Sequence, residues 1–168
     1  MADVYIGIDP DAARSGVGVL DRATREVDVK QLTFASLVAF LRVQQQRARV
    51  QGKRIIVVVE GGWLNHGNWH IPFRCSAAKA AAIGRSVGMN HQTGILLVEI
   101  LKADGIPVQV QRPLRKMWKG ADGKITSAEL AEITGKDKLP RCNQEGRDAL
   151  LLAWVASGLP VRVKPSKC

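Results

Sequence analysis

Four carboxylates stand out by where they fall in the chain. Asp9 closes the apolar run Val4-Tyr5-Ile6-Gly7-Ile8 and is followed by Pro10. Glu60 closes Arg54-Ile55-Ile56-Val57-Val58-Val59, with five β-branched residues in a row, and is followed by Gly61-Gly62. It is the one acid between residues 29 and 98, a stretch that holds nine Lys or Arg. An acid at the carboxyl end of a buried strand lies where open α/β sheets place ligands and chemistry. The plainer alternative is a charge that marks the strand's exit into solvent. Glu145 and Asp148 stand three apart, which puts both on one face of a helix. Such a pair is either a solvated helix start favoured by the dipole or a pair of ligands. Unless a cation sits between them, two acids one turn apart repel by a few tenths of a kcal/mol. Clustered carboxylates suit Mg²⁺, a hard ion that prefers oxygen ligands. Two such ions about 4 Å apart can activate a water and stabilise the leaving oxygen in phosphodiester cleavage. The three strips together are far more specific than any one of them.

The elements that must carry these acids can be read from the punctuation of the chain. Residues 4–9 form a short apolar strand stopped by the turn pair Asp9-Pro10. Residues 15–21 read as a second strand, close enough for a hairpin, and the alternating residues 25–32 as an exposed third. Phe34, Leu37, Val38 and Leu41 with a polar Gln/Arg face predict a helix over 34–50. The run 54–60 is a strand buried on both faces. A thirteen-residue loop, 61–73, leads into an Ala-rich helix from about 75 to 104, with a break expected near Gly88. Residues 106–111 are a fifth strand and 112–124 a basic loop. A capping-box pattern from Thr126 to Glu129 opens a short helix over 126–133. The last helix starts near Asn143 and is ended by Gly158 and Pro160. The order β-β-β-α-β-α-β-α, without repeat or linker, predicts one α/β domain over residues 1–160 and a basic tail over 161–168. Its sheet should be mixed and five-stranded, with helices on both faces.

Composition narrows the class. The 168 residues carry 25 Lys+Arg against 15 Asp+Glu, a net charge of +10, and are 46% hydrophobic. That apolar content excludes a disordered basic tail and supports a packed core. No apolar run reaches the length of a membrane span, and the first residues lack the basic end and apolar core of an export signal. Cytoplasmic placement, in a bacterial or phage-infected cell, is the expectation. Cys75, Cys142 and Cys168 lie far apart with no CxxC pair, which argues against a zinc site or a disulfide framework. The excess positive charge on so small a domain points to a polyanion, most often nucleic acid.

Several residues fit that partner. Arg112, Arg115, Lys116, Lys119 and Lys124 against the single Asp122 form the densest basic loop, suited to phosphates or merely solvated. Trp63 and Trp69, in a loop rich in Gly, Asn and His, could stack on splayed bases or tuck against the core. His66, His70 and His91 read as polar loop or helix residues, since nothing pairs them at a metal-ligand spacing. Arg42, Arg47, Arg49, Lys53 and Arg54 are an ordinary polar helix face or an extension of the nucleic-acid track. Arg14 and Arg147 could steer phosphate toward the acids, and Trp154, in register with Leu150 and Leu151, is core.

Ile6-Gly7-Ile8-Asp9-Pro10, the Val57-Val58-Val59-Glu60 strand end and Glu145-x-x-Asp148-Ala149-Leu150 together resemble the RuvC family of Holliday-junction resolvases. The resemblance covers nearly the whole chain and implies an RNase H-like fold. It implies a two-metal site, Mg²⁺ with Mn²⁺ as an alternative, held by Asp9, Glu60, Glu145 and Asp148. It also implies that Trp63 stacks at the junction core and that Lys116, Lys119 and Lys124 contact DNA. Two positions depart from the family pattern. The third acid is Glu145 where the family has Asp or His, and no Gly follows Asp9-Pro10, which leaves Asp11 as a ligand in place of Asp9 or beside it. The implied activity is a metal-dependent endodeoxyribonuclease that cuts four-way or other branched DNA as a homodimer, leaving 5′-phosphate and 3′-hydroxyl ends. An RNase H acting on RNA–DNA hybrids and a binding module without catalysis are the alternatives. An actin-like kinase also begins Ile-Gly-Ile-Asp but needs two such domains, for which 168 residues leave no room.

Overall fold

The computed structural model describes residues 1–65, 74–137 and 139–162. Trp69, His66 and His70, Cys168 and most of the basic tail lie outside the described residues. The elements run β1 (Val4–Asp9), β2 (Ser15–Asp21), β3 (Val27–Leu32), α1 (Phe34–Val50), β4 (Ile55–Glu60), α2 (Ala77–Ala103), β5 (Val108–Gln111), α3 (Ser127–Thr134) and α4 (Gln144–Ala156). Short 3₁₀ turns occupy Gly62–Leu64 and Ala121–Gly123. The strands form one sheet in the order β3-β2-β1-β4-β5. β1 pairs antiparallel with β2 and β2 with β3, whereas β1, β4 and β5 run parallel. This is the mixed sheet that three meandering strands followed by alternating helices and strands require.

Side chains two apart on a strand share a face, and the core divides accordingly. Ile6, Ile8, Val17, Val57 and Val59 pack with Leu37 and Leu41 of α1 and Leu97 and Leu101 of α2. Tyr5, Leu20 and Val58 pack with Leu130 and Ile133 of α3 and with Leu150, Leu151 and Trp154 of α4. The helix starts are chemically specified. Ser76 accepts a hydrogen bond from the Lys79 amide, Thr126 and Glu129 complete a capping box, and Asn143 accepts from the Gly146 amide.

The elements differ from the sequence expectations at three places. β3 begins at Val27 rather than Arg25, because the Asp21 carboxylate caps the amides of Ala23 and Thr24 and Arg25 takes φ 57°, which closes the hairpin turn first. β5 begins at Val108 rather than Ile106, since Pro107 has no N–H and offers only its carbonyl, to the Val57 amide. α2 runs unbroken through Gly88, which has open space around it and is tolerated as an ordinary helical residue.

Candidate active site

The strand register brings two of the acids together. Ile8 pairs with Val59 in the parallel β1–β4 ladder, so Asp9 and Glu60 end neighbouring strands at their carboxyl edges. Both fall on the face of Tyr5 and Val58, the face that α4 covers. The other two acids arrive by an unusually close approach of α4, and glycines make it possible. A Cβ on Gly7 would collide with the Ala149 carbonyl and stand 2.8 Å from the Ala153 nitrogen. One on Gly16, the β2 partner of Asp9, would strike the Glu145 carbonyl and stand 2.9 Å from its Cβ. One on Gly18 would run into the Leu150 backbone. The start of α4, carrying Glu145 and Asp148, is thereby laid over β1 and β2, beside the end of β1 that Asp9 closes.

The electrostatics register the convergence. Burial pushes the Asp9 carboxyl well above the usual carboxylate range, and the negative charges of Glu60, Asp148 and Glu145 push it further. Glu60 is raised to about 7, first by burial and then by Asp148, with Lys116 and Lys124 working against the rise. Asp148 is raised by burial and by Glu145, offset by a hydrogen bond from Gln144 and by the charges of Lys124 and Arg147. A set of oxygen-only donors that repel one another is the chemistry a hard divalent cation satisfies. Among the described residues, no three His, Cys, Asp or Glu side chains already stand close enough together to hold an ion. The donor chemistry and the shared face fit a divalent ion, and the spacing is wider than that of a closed ion site.

The raised acids set a sign for stability. The folded Glu60 carboxyl keeps its proton up to about 7, whereas an unfolded chain releases it near about 4.3. The folded state binds more protons in that window, so stability is full below the lower value and is lost as pH rises through the upper one. Hydrogen bonds from Arg54 and Lys53 hold Asp3 and Asp21 low, and bonds from Thr126 and Lys119 hold Glu129 low against its burial. Those groups work in the opposite sense, in a lower pH range. Thermal melts in EDTA should therefore show a lower midpoint at pH 7.5 than at pH 5; a higher one would sink this electrostatic reading.

The basic loop lies beside the acids. Lys124 acts on Asp9, Glu60 and Asp148, and Lys116 on Glu60. Arg112, Arg115, Lys116 and Lys119 are exposed and Lys124 is half-buried. The loop is tied down by Glu129, which is buried and accepts from the Lys119 amide at 3.1 Å and from the Thr126 amide and hydroxyl at 3.1 and 2.8 Å. Asp11 has other employment. Its carboxylate accepts from the amides of Ala13 and Arg14 and, at 3.1 Å, from Asn90 of α2. Trp63 is half-buried, packed on Gly94 and Pro10 and edge-on to His91 at 6.4 Å, so its ring is wedged between the β1 end and α2. The Arg147 guanidinium turns inward to carbonyls of its own chain. Sequence reading missed the glycine face and Gln144; the alternate glycines of β2 and the single Gly7 of β1 were the available signal.

No protein-family model matches the chain, and no curated protein matches it in sequence. Among solved structures it is similar to Thermus thermophilus RuvC in complex with a Holliday junction substrate. That match has 18% identity and a TM-score of 0.54, over 89% of each chain. A Fowlpox virus resolvase in complex with Holliday junction DNA matches at 10% identity and a TM-score of 0.40, over 92% of this chain and 97% of that one. The likeness to RuvC, with the mixed five-stranded sheet, gives the chain the RNase H-like fold.

Proposed function

We propose, with the RNase H-like fold as premise, that the protein is a divalent-metal-dependent endodeoxyribonuclease that resolves four-way or other branched DNA. The observation that carries the reading is the shared face at the carboxyl ends of β1 and β4, where Asp9 senses the charges of Glu60, Glu145 and Asp148. The likeness to the junction-bound RuvC supports the choice of substrate. Asp9, Glu60, Glu145 and Asp148 would hold Mg²⁺ or Mn²⁺, two ions per site. Ions held there supply the Lewis acidity that activates water and stabilises the leaving oxygen. The chain's own contribution is geometric and electrostatic. β1 and β4 fix two acids in register, α4 lowers the other two onto them, and Lys116 and Lys124 draw the phosphate toward the site. Arg112, Arg115 and Lys119 extend that track along the loop, and Trp63, through the exposed part of its ring, would meet the unstacked centre of the junction.

Resolution needs two cuts related by symmetry, so we assign the active form as a homodimer. The first half of α2 extends beyond the buried residues Gly94, Leu97, Val98 and Leu101. It leaves Met89 exposed and offers a second copy a helix rich in Ala and Gly. Sedimentation at the concentration used for cleavage should give twice the chain mass, and a monomer cutting both strands symmetrically would overturn the assignment.

The test of the reading is incubation in Mg²⁺ with a four-way junction, a fork, a plain duplex and an RNA–DNA hybrid. Cleavage of the branched substrates alone supports it; cleavage of the hybrid alone replaces it with an RNase H, and cleavage of none leaves a binding module. Removing one phosphate contact should be milder. Lys124→Ala and Lys116→Ala are expected to lower junction affinity about tenfold and to reduce the salt slope by about one. Filter binding across salt concentrations checks this, and an unchanged slope would remove both lysines from the track.

A further inference from the structure

Gln144 opens α4 one turn before Asp148, and its side chain has a defined direction. Its Oε1 accepts from Arg147 Nη2 at 2.7 Å, so its Nε2 must point the other way. There it donates to Asp148 Oδ1 at 2.8 Å and to the Ile125 carbonyl at 3.2 Å. Arg147 reinforces both ends, with Nε donating to the same Ile125 carbonyl at 3.3 Å and Nη1 to the Cys142 carbonyl at 3.1 Å. Ile125 is buried in the core and adjoins Lys124. One network thus clamps the end of the basic loop to the first turn of the helix that bears two of the acids.

We infer that Gln144, oriented by Arg147, is a positioning residue that fixes the Asp148 carboxylate for a divalent ion. This rests on the nuclease reading only in taking Asp148 as a ligand. A carboxylate has two oxygens and rotates freely at a helix start. An amide donor on Oδ1 stops that rotation and leaves Oδ2 to a cation. A neutral donor does this without bringing a positive charge that would compete with the ion, as a lysine in its place would. Arg147 contributes the orientation of the amide and makes its own hydrogen bonds to Gln144 and to backbone carbonyls rather than to Asp148. Outer partners of this kind change metal affinity or activity by about 10- to 100-fold when removed.

The experiment compares wild type with Gln144→Met, which keeps chain length and loses the donor, and with Arg147→Lys, which loses the fork. Two curves are measured for each: the rise in melting temperature with Mn²⁺ or Mg²⁺ in the absence of DNA, and junction cleavage against the same ion. Gln144→Met should need about tenfold more metal in both; its metal-free melting temperature should fall modestly with the lost bonds to Ile125 and Asp148, and its metal-free junction binding should be unchanged. Arg147→Lys should move the same way by less, and it decides the matter if Gln144→Met does not fold. Wild-type metal dependence in the folded variants would overturn the inference, as would a wild-type protein whose melting temperature ignores both ions. A wild type that responds to metal but cuts no branched DNA would overturn the nuclease reading alone.

Discussion

Asp9→Asn and Glu60→Gln should each reduce junction cleavage in Mg²⁺ by roughly 10³-fold or more while leaving junction binding intact or tighter. The two acids end adjacent parallel strands, and each is raised by burial and by the charge of its neighbours. Replacing either by its amide keeps the shape, removes one ligand charge and relieves repulsion both of the remaining acids and of the DNA phosphates. The same substitution should stabilise the metal-free protein. Holding a charged Glu60 above its raised value costs the folded state energy that a neutral amide does not, so Glu60→Gln should gain on the order of 2 kcal/mol at pH 7.5. The gain should vanish as pH falls below about 4, where the carboxyl becomes protonated in unfolded as well as folded chains. Single-turnover cleavage, metal-free gel shifts and thermal melts at the two pH values measure the three effects. A variant that cuts at the wild-type rate would remove its residue from the site; one that is less stable at pH 7.5 would remove the electrostatic argument.

Gly18→Val is expected to unfold the protein or to cost about 3 kcal/mol or more. The side chain added there would meet backbone atoms of Leu150 and Ala149 rather than the end of a movable side chain, so nothing can rotate away. Relief requires α4 to lift off β1 and β2, and with it go the buried Leu150, Leu152 and Trp154. Gly7→Val should behave alike, against Ala149 and Ala153. The control is Gly88→Ala on α2, where a Cβ meets open space; it should be neutral or stabilising by up to about 1 kcal/mol. Urea unfolding of the three variants decides the point. A Gly18→Val protein with the wild-type midpoint would mean that α4 does not sit on the strand backbones.

Much of this was legible beforehand because local chemistry and global packing agree. The unbroken β-branched run of β4 could only be a strand covered on both faces, and Thr126 with Glu129 announced α3 by its cap. The order of elements carried the sheet. The convergence of the acids was legible as three strand or helix ends, and their shared face follows from period-two register once β1 and β4 are parallel neighbours. What escaped depends on contacts between residues far apart in sequence. Gly7, Gly16 and Gly18 weaken strands by local propensity, and their use appears only when a helix more than a hundred residues later lies on them. Gln144 draws no reading and Arg147 reads as steering phosphate, because their common partner, a backbone carbonyl at Ile125, lies about twenty residues away in sequence. Trp63 carried no sign that Gly94 would leave room for its ring.

The double duty of α4 has a consequence for motion. Its later turns supply the buried Leu150, Leu151, Leu152 and Trp154, and its first turn supplies Glu145 and Asp148. A segment whose opening exposes that much core opens only with the whole molecule, so the later turns of α4 anchor the two acids at its start. The loop of Lys116 and Lys119 is exposed and held to α3 by Glu129. With Glu129 at one end and the Ile125 carbonyl network at the other, the loop is tethered to the same helices that carry the core, and its exposed side chains rather than its backbone have room to adjust.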